Sequence, residues 1–353
     1  MAGVSSGWEA GAGITGLADE ELARWVAGVR ASGGPSCRTV GAERLREAAR
    51  QRAASRPGGP GLALVRDLVT GSGLPLRLYR PSLRPRPLVL YLHGGGFVMH
   101  DLETFDALCR HLARTADVAV LAVGFRRPPE HPGPAAVDDT VSAFTWAQPR
   151  VRELGGDPLA GIALAGDSSG GALAVLAAVR LRDRGGDALP SALLLACPNA
   201  DMTLSGPSVE AEGHGWGLEA DDLRWFVEQW VPDPHRRADR LLSPVHARLN
   251  GLPPAVIATA EHDPLRDEGA RLARLLREAG TGVTYLPHPG LVHGFITLAH
   301  LSPAAARARD NLFELSGQFL RREAHAPPNV PSNVTRTEPE RRPRHRPLDE
   351  EIR

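Results

Sequence analysis

Lysine does not occur once among the 353 residues; all 41 basic side chains are arginine. Mechanisms that need a titratable amine are thereby excluded. No P-loop lysine can reach a nucleotide phosphate, no Schiff base can form, and no Ser-Lys dyad can operate. Net charge is missing too, because 41 Asp and Glu offset the arginines, so no basic field marks a nucleic-acid partner. Cysteine is scarce: Cys37, Cys109 and Cys197, with no C-x-x-C pair. Such an odd, sparse set fits a reduced cytoplasmic setting and supplies no cysteine-rich metal site. No apolar run approaches the roughly 18 to 20 residues of a membrane span. The opening "MAGVSSGWEAGAGITG" has neither the basic nor the apolar part of a secretory signal.

What is present is a substantial core, with 42% hydrophobic residues. Residues 1–16 are Gly/Ser/Ala-rich and are expected to be flexible. Amphipathic helices are expected at 17–29 and within 41–55. Short strands follow at 63–69, 74–80 and 87–93. From there the pattern becomes strand–helix: strands at 118–125, 161–166, 191–197, 255–260 and 283–287, and helices at 135–148, 169–183, 266–279 and 303–322. That alternation indicates a mostly parallel sheet flanked by helices. Segment 201–235 breaks the rhythm and holds Trp216, Trp225 and Trp230, half of the six tryptophans. Together with 17–58 it is expected to form a helical cap over the sheet's carboxyl edge, with those tryptophans and Phe226 narrowing an entrance. The main domain is expected over 17–323. From Ala324 to Arg353 the chain is rich in Pro and Arg and nearly free of large apolar groups, the composition of a disordered tail.

One polar hexapeptide interrupts the apolar run "IALAGDSSGGALAV" at 162–175. It matches G-x-S-x-G through Gly166, Ser168 and Gly170. In that motif a strand turns sharply into a helix and lifts the serine to the apex of the turn, at the helix N-terminus. A Walker A loop is ruled out for want of lysine, and a G-x-G-x-x-G fingerprint is not matched. A nucleophilic serine also needs an oxyanion hole, a base and an acid. "YLHGGGFVMH" ends an apolar strand with three glycines, whose N–H groups can face an oxyanion without a Cβ in the way. Gly94 and Gly95 are the expected donors, with Ser169 N–H as the third. His293, in "PGLVHGF", comes late in the chain as the order Ser…Asp…His requires, with His288 as its competitor. Asp263 follows an apolar strand in "VIATAEHDPLRDEG" and is the expected acid, whereas Asp267 and Glu268 belong to the next helix.

"HGGGF" (93–97), "RPPEHPGPAAVDD" (127–139), "GDSSGG" (166–171), "DPLRDEG" (263–269) and "HGF" (293–295) occur in an order and spacing that resemble the hormone-sensitive-lipase-like esterases of bacteria. The resemblance covers roughly 17–322. It implies an α/β-hydrolase fold with a helical cap and a Ser168–His293–Asp263 triad that cleaves carboxylic esters. The aromatic side chains expected at the entrance add the expectation of short acyl chains. It implies no metal or organic cofactor and no partner beyond the ester substrate, save a second copy of the chain in a homodimer. Departures from the family pattern are Ser169 for the usual Ala, Ala172 for a common Asn, and His100 where glycine is common. The segment Gly124–Glu130 lacks the usual Asp and Tyr, which puts support of the nearby loops in question. His100 is expected either to line the pocket or to lie on the surface. Two other readings share the fold: an N-acetyl or lactone hydrolase, and a ligand receptor of the gibberellin-receptor type. Retention of His293 speaks against the receptor, which has no use for a base.

Overall fold

The computed structural model describes residues 16–185 and 189–323. The expectations for residues 1–15 and for the tail at 324–353 lie outside these.

Eight strands form one sheet: β1 (Leu64–Val69), β2 (Pro75–Arg80), β3 (Leu88–Leu92), β4 (Ala119–Val123), β5 (Ile162–Asp167), β6 (Leu193–Ala196), β7 (Ala255–His262) and β8 (Val283–Val292). Their order is β1-β2-β4-β3-β5-β6-β7-β8. β2 runs antiparallel to β1 and β4, and every other pairing is parallel. A parallel sheet is covered on both faces, so its strands read as continuous apolar runs. LVLYL in β3 and AVLAV in β4 are buried at every position.

Within those runs the two-residue period still sorts the side chains. Leu88, Leu90 and Leu92 join a core with α5 (Ala135–Ala147), α6 (Ser169–Asp183) and α9 (Arg266–Glu278). Val89 and Tyr91 face the other way, toward a core with α1 (Glu20–Ser32), α4 (Asp106–Ala116) and α10 (Pro303–Glu323). The strand order reverses direction around β3, because β4 lies on one side of it and β5 on the other. The crevice beyond the carboxyl ends at such a point is where ligands bind in open α/β sheets.

All eight expected strands and six expected helices are present. Helix α4, the crossover from β3 to β4, escaped the sequence reading. Its apolar stripe is Leu108, Cys109, Leu112, Ala113 and Ala116, all buried, but three arginine and histidine side chains interleave it in the sequence. β8 runs five residues beyond the expected Pro287, to Val292. The extension is irregular, with a register shift between Ala260 and His262 on β7, and its proline and glycine hide it.

Beside the carboxyl edge lie two further groups of helices, α1 with α2 (Cys37–Val40) and α3 (Ala42–Ala54), and α7 (Ser208–Ala211) with α8 (Ala220–Trp230); Trp25 of α1 and Phe226 of α8 line one pocket there with Gly95 and Ser168. The two chain segments contact one another. Asp222 Oδ1 accepts from Cys37 N–H at 2.6 Å, and Arg30 donates to the Gly215 carbonyl at 2.9 Å while lying 4.4 Å over the Trp216 ring. The tryptophans take different parts from those expected. Trp230 is fully buried and stacks on Phe97 at 4.4 Å. Trp225 packs with Leu45 and Val98, and Trp216 stacks on His262 at 4.0 Å.

Candidate active site

Ser168 links β5 to α6 with φ 52° and ψ −122°, a conformation that an L-residue adopts only under constraint. Four backbone bonds supply the constraint. Ser168 N–H donates to Ala196 O at 2.8 Å, and the Ser168 carbonyl accepts from Gly171 and Asn199 N–H, each at 3.0 Å, and from Ala172 N–H at 3.3 Å. The flanking glycines are steric necessities: a Cβ on Gly166 would strike the Gly170 backbone, and one on Gly170 would strike the Leu92 carbonyl.

The other two expected residues converge on this apex from loops after β7 and β8. His293 Nε2 lies 3.1 Å from Ser168 Oγ, and His293 Nδ1 lies 2.9 Å from Asp263 Oδ2. Asp263 is wholly buried, and its Oδ1 accepts from Leu265 N–H at 2.8 Å. The carboxylate therefore fixes the imidazole tautomer, with Nδ1 protonated and Nε2 free to accept from the serine. Burial pulls the His293 pKa down, but the charge and hydrogen bond of Asp263 outweigh it, and the net displacement is upward from 6.5. His288 is not part of this array. It sits within β8, packs on Phe295 at 4.8 Å, and has a buried Nε2 with no partner.

The glycine loop corrects one expectation. Gly94 N–H donates to Asp167 Oδ1 at 2.9 Å, so it is not available to an oxyanion. Gly95 and Gly96, not Gly94, line the pocket that contains Ser168 and His293. Gly95 (φ 113°) and Gly96 (φ 60°) both occupy the left-handed half of backbone space. Their N–H groups, like that of Ser169, have no hydrogen-bond partner among the described residues. Three adjacent glycines do not reveal in the sequence which of them is tied to Asp167 and which two line the pocket.

Asp167 was also missed. Its Oδ1 accepts from both Tyr91 O–H, at 2.7 Å, and Gly94 N–H. Burial raises its pKa to about 6, and these hydrogen bonds oppose the rise. The carboxylate ties the glycine loop to the serine turn. His93 holds the loop from its other side: its Nδ1 lies 2.9 Å from Gly94 O and its ring stacks on Phe125 at 4.3 Å. Burial depresses the His93 pKa to about 4, so the ring is neutral and structural at pH 7.

Support for the loop 124–130 does not depend on the missing Asp and Tyr. Arg46, on α3, donates to Glu130 at 2.8 Å through two nitrogens, to Pro128 O at 2.7 Å and to Val98 O at 2.9 Å. Arg126 forks onto Asp139, with Nη2 to Oδ1 at 2.8 Å. Arg127 donates to the His100 carbonyl. The Arg46 bond holds Glu130 down at about 2.

The ligand atoms of Cys197, Asp263 and His293 lie within 4.8 Å of one another. Burial, and then the Asp263 charge, push the Cys197 thiol well above its ordinary range. A protonated thiol is a donor to Asp263 rather than a metal ligand, so this cluster fits a proton-transfer array better than a metal centre.

This geometry has counterparts among known proteins. A model of the alpha/beta hydrolase fold family matches residues 89–297. The chain is 40% identical to the carboxylic ester hydrolase LipN of Mycobacterium tuberculosis over 255 residues, covering 70% of this chain and 68% of that one. It is 37% identical to an ethyl acetate hydrolase of Pseudomonas putida over 255 residues, 71% and 80% of the two chains. Among solved structures, the thermostable carboxylesterase EstE1 from a metagenomic library superposes with a TM-score of 0.73 at 34% identity, covering 82% of this chain and 98% of that one. The chain belongs to the alpha/beta hydrolase fold family, among its hormone-sensitive-lipase-like enzymes, and is a serine-dependent carboxylic ester hydrolase.

Proposed function

We propose that Ser168, His293 and Asp263 carry out this hydrolysis, with Gly95, Gly96 and Ser169 N–H as the oxyanion hole, on small esters of short acyl chains in the cytoplasm. Ser168 Oγ attacks the acyl carbon while its proton passes to His293 Nε2. The negative charge that develops on the carbonyl oxygen is met by the three backbone donors, which need no reorganisation. Asp263 stabilises the imidazolium through Nδ1–H without itself taking the proton. Collapse of the tetrahedral intermediate breaks the ester C–O bond, and the imidazolium returns the proton to the departing alcohol. Water then attacks the acyl-Ser168 carbon with His293 again as base, which releases the acid and restores the serine.

The observation that carries this reading is the unbroken chain Ser168 Oγ–His293 Nε2, 3.1 Å, and His293 Nδ1–Asp263 Oδ2, 2.9 Å, at the apex of a strained turn. Pocket size supports the short acyl preference. The space at Ser168 is about 230 Å³, walled by Trp25, Leu218, Leu223 and Phe226. The likeness to an ethyl acetate hydrolase agrees with it.

Esters of p-nitrophenol with graded acyl chains test both parts, with Ser168→Ala as control. kcat/KM is expected to peak at about two to six carbons, since each methylene adds up to about 0.8 kcal/mol while it fits and clashes thereafter. A rise sustained to about twelve carbons would remove the small-pocket reading. Retained activity in Ser168→Ala would remove the nucleophile.

A further inference from the structure

Beside the catalytic pocket lies a larger cavity of about 550 Å³, between the end of α3, the start of α4 and the turn at 296–300. The two spaces meet at His100, Phe105 and Thr297, which line both. No part of the hydrolytic mechanism uses the larger one.

Three arginines line it, Arg52, Arg56 and Arg309. His111 and His300 stand beside them, each with its pKa lowered from 6.5, chiefly by burial. Two carboxylates also face it, but each already has partners. Glu103 accepts from Arg77 at 2.5 Å, and Asp106 accepts from Tyr79 at 3.1 Å and Arg110 at 2.6 Å. Arg309 pairs with Asp310 at 2.8 Å. By contrast, no carboxylate among the described residues pairs with Arg52 or Arg56. Partial burial and then the Arg52 charge lower the Arg56 pKa, and burial and then the Arg56 charge lower that of His300. Cations that repel one another across a cavity are stabilised by an anion placed between them, and the planar guanidinium fork matches carboxylate and phosphate oxygens two at a time.

His100 is the second, independent observation. It holds a left-handed backbone, φ 65°, a conformation unusual for a residue with a side chain. Its Nδ1 is shut away from solvent without a partner. A strained backbone and an orphaned polar atom both cost stability and persist where function requires them. Here they place an imidazole on the wall that the two cavities share.

We propose that this cavity is an anion subsite: it takes a carboxylate or phosphate group carried by the ester whose acyl carbon sits at Ser168. The inference rests on the ester-hydrolase reading of the neighbouring pocket and names the substrate class of that site. The substrate is then an anionic ester, either a hemiester of a dicarboxylic acid or an acyl ester of a phosphorylated alcohol.

The test compares matched pairs on the full-length enzyme by pH-stat. One arm uses monoethyl hemiesters of dicarboxylic acids from four to eight carbons against the corresponding diethyl esters. The other uses acetate esters of ω-hydroxyalkyl phosphates against the same esters without phosphate. At low ionic strength, at least one anionic ester is expected to exceed its neutral partner in kcat/KM by tenfold or more. Arg52→Gln/Arg56→Gln is expected to abolish that excess and to leave the neutral esters within twofold of wild type. The arm showing the excess identifies the source of the anion. A neutral preference at every length, or an anionic excess that survives the double substitution, overturns the subsite. Failure to cleave either kind of ester, or cleavage by Ser168→Ala, would instead overturn the reading of the catalytic pocket. An unchanged melting temperature confirms that the double variant folds.

Discussion

The carboxyl edge of the sheet and the helices lying over it are held by different forces. At the edge, backbone geometry sets the positions. Ser168 is held at φ 52° by four main-chain bonds, and Gly94 N–H is tied to the Asp167 carboxylate. Over the edge, side chains make the contacts. Trp225 and Phe226 pack on Leu45 and Val98, and exposed Arg38 pairs with half-buried Glu228. The proposed chemistry is thus anchored in constrained backbone, whereas the pocket wall rests on side-chain packing.

The largest effect is expected at the edge. Ser168→Ala should lower kcat by roughly 10³ to 10⁶ with the melting temperature nearly unchanged, because triad members act as a unit. Ser169→Ala, in contrast, should retain most activity, since only its N–H is used. Steady-state kinetics beside thermal melts would separate the two serines.

Asp263→Asn comes next and also moves the pH profile. The proposed mechanism uses neutral His293, whose pKa is displaced upward from 6.5 because the Asp263 charge and hydrogen bond outweigh burial. Wild-type kcat/KM should therefore rise with pH through a midpoint above 6.5, and the variant's residual activity should show a midpoint displaced to lower pH. The linked stability has the opposite sign. A folded-state pKa above the unfolded value stabilises the fold fully below about 6.5. That contribution fades as pH rises through the folded value. A variant whose acid limb coincided with wild type would dissociate Asp263 from His293.

A smaller loss is expected when the glycine loop is released. Asp167→Ala leaves Tyr91 O–H and Gly94 N–H without their acceptor, at about 1–3 kcal/mol each. Loosening of the Gly95 and Gly96 donors should reduce kcat by about 10², with little change in KM. Unfolding in urea measures the first quantity and initial rates the second.

The least effect belongs to the helices over the edge. Arg38→Ala removes an exposed ion pair and should cost no more than about 1 kcal/mol. A larger loss would mean that these helices are held as firmly as the edge, and the contrast drawn between them would fail.

The edge was also the more legible region in sequence. A strained turn, a chain of glycines and a buried carboxylate leave marks that few residue types can make, so Ser168, Asp263 and His293 stand out before any coordinates. Gly94 was misassigned because its N–H is consumed by Asp167, 73 residues later, and no local pattern carries that pairing. Over the edge, Trp216, Trp225 and Trp230 look alike in sequence. One stacks on a histidine, one packs beneath α3 and one enters the main core. Only Phe226 of the expected aromatics lines the pocket, with Trp25 from α1. Side-chain direction in a short insert depends on tertiary contacts, which composition does not encode. Helix α4 shows the same limit on a smaller scale, since its charged face interrupts an apolar stripe that is plain once folded.

The most direct measurement of the central claim is the site of covalent capture. A p-nitrophenyl alkylphosphonate mimics the tetrahedral intermediate and bonds to the attacking oxygen. Peptide mapping by mass spectrometry should find one phosphonyl group per chain, on Ser168, formed with release of one p-nitrophenolate and loss of activity in step. His293→Ala should slow the reaction severely. Labelling of Ser169 or of any other residue at the same stoichiometry, or inactivation with Ser168 unmodified, would contradict the assignment.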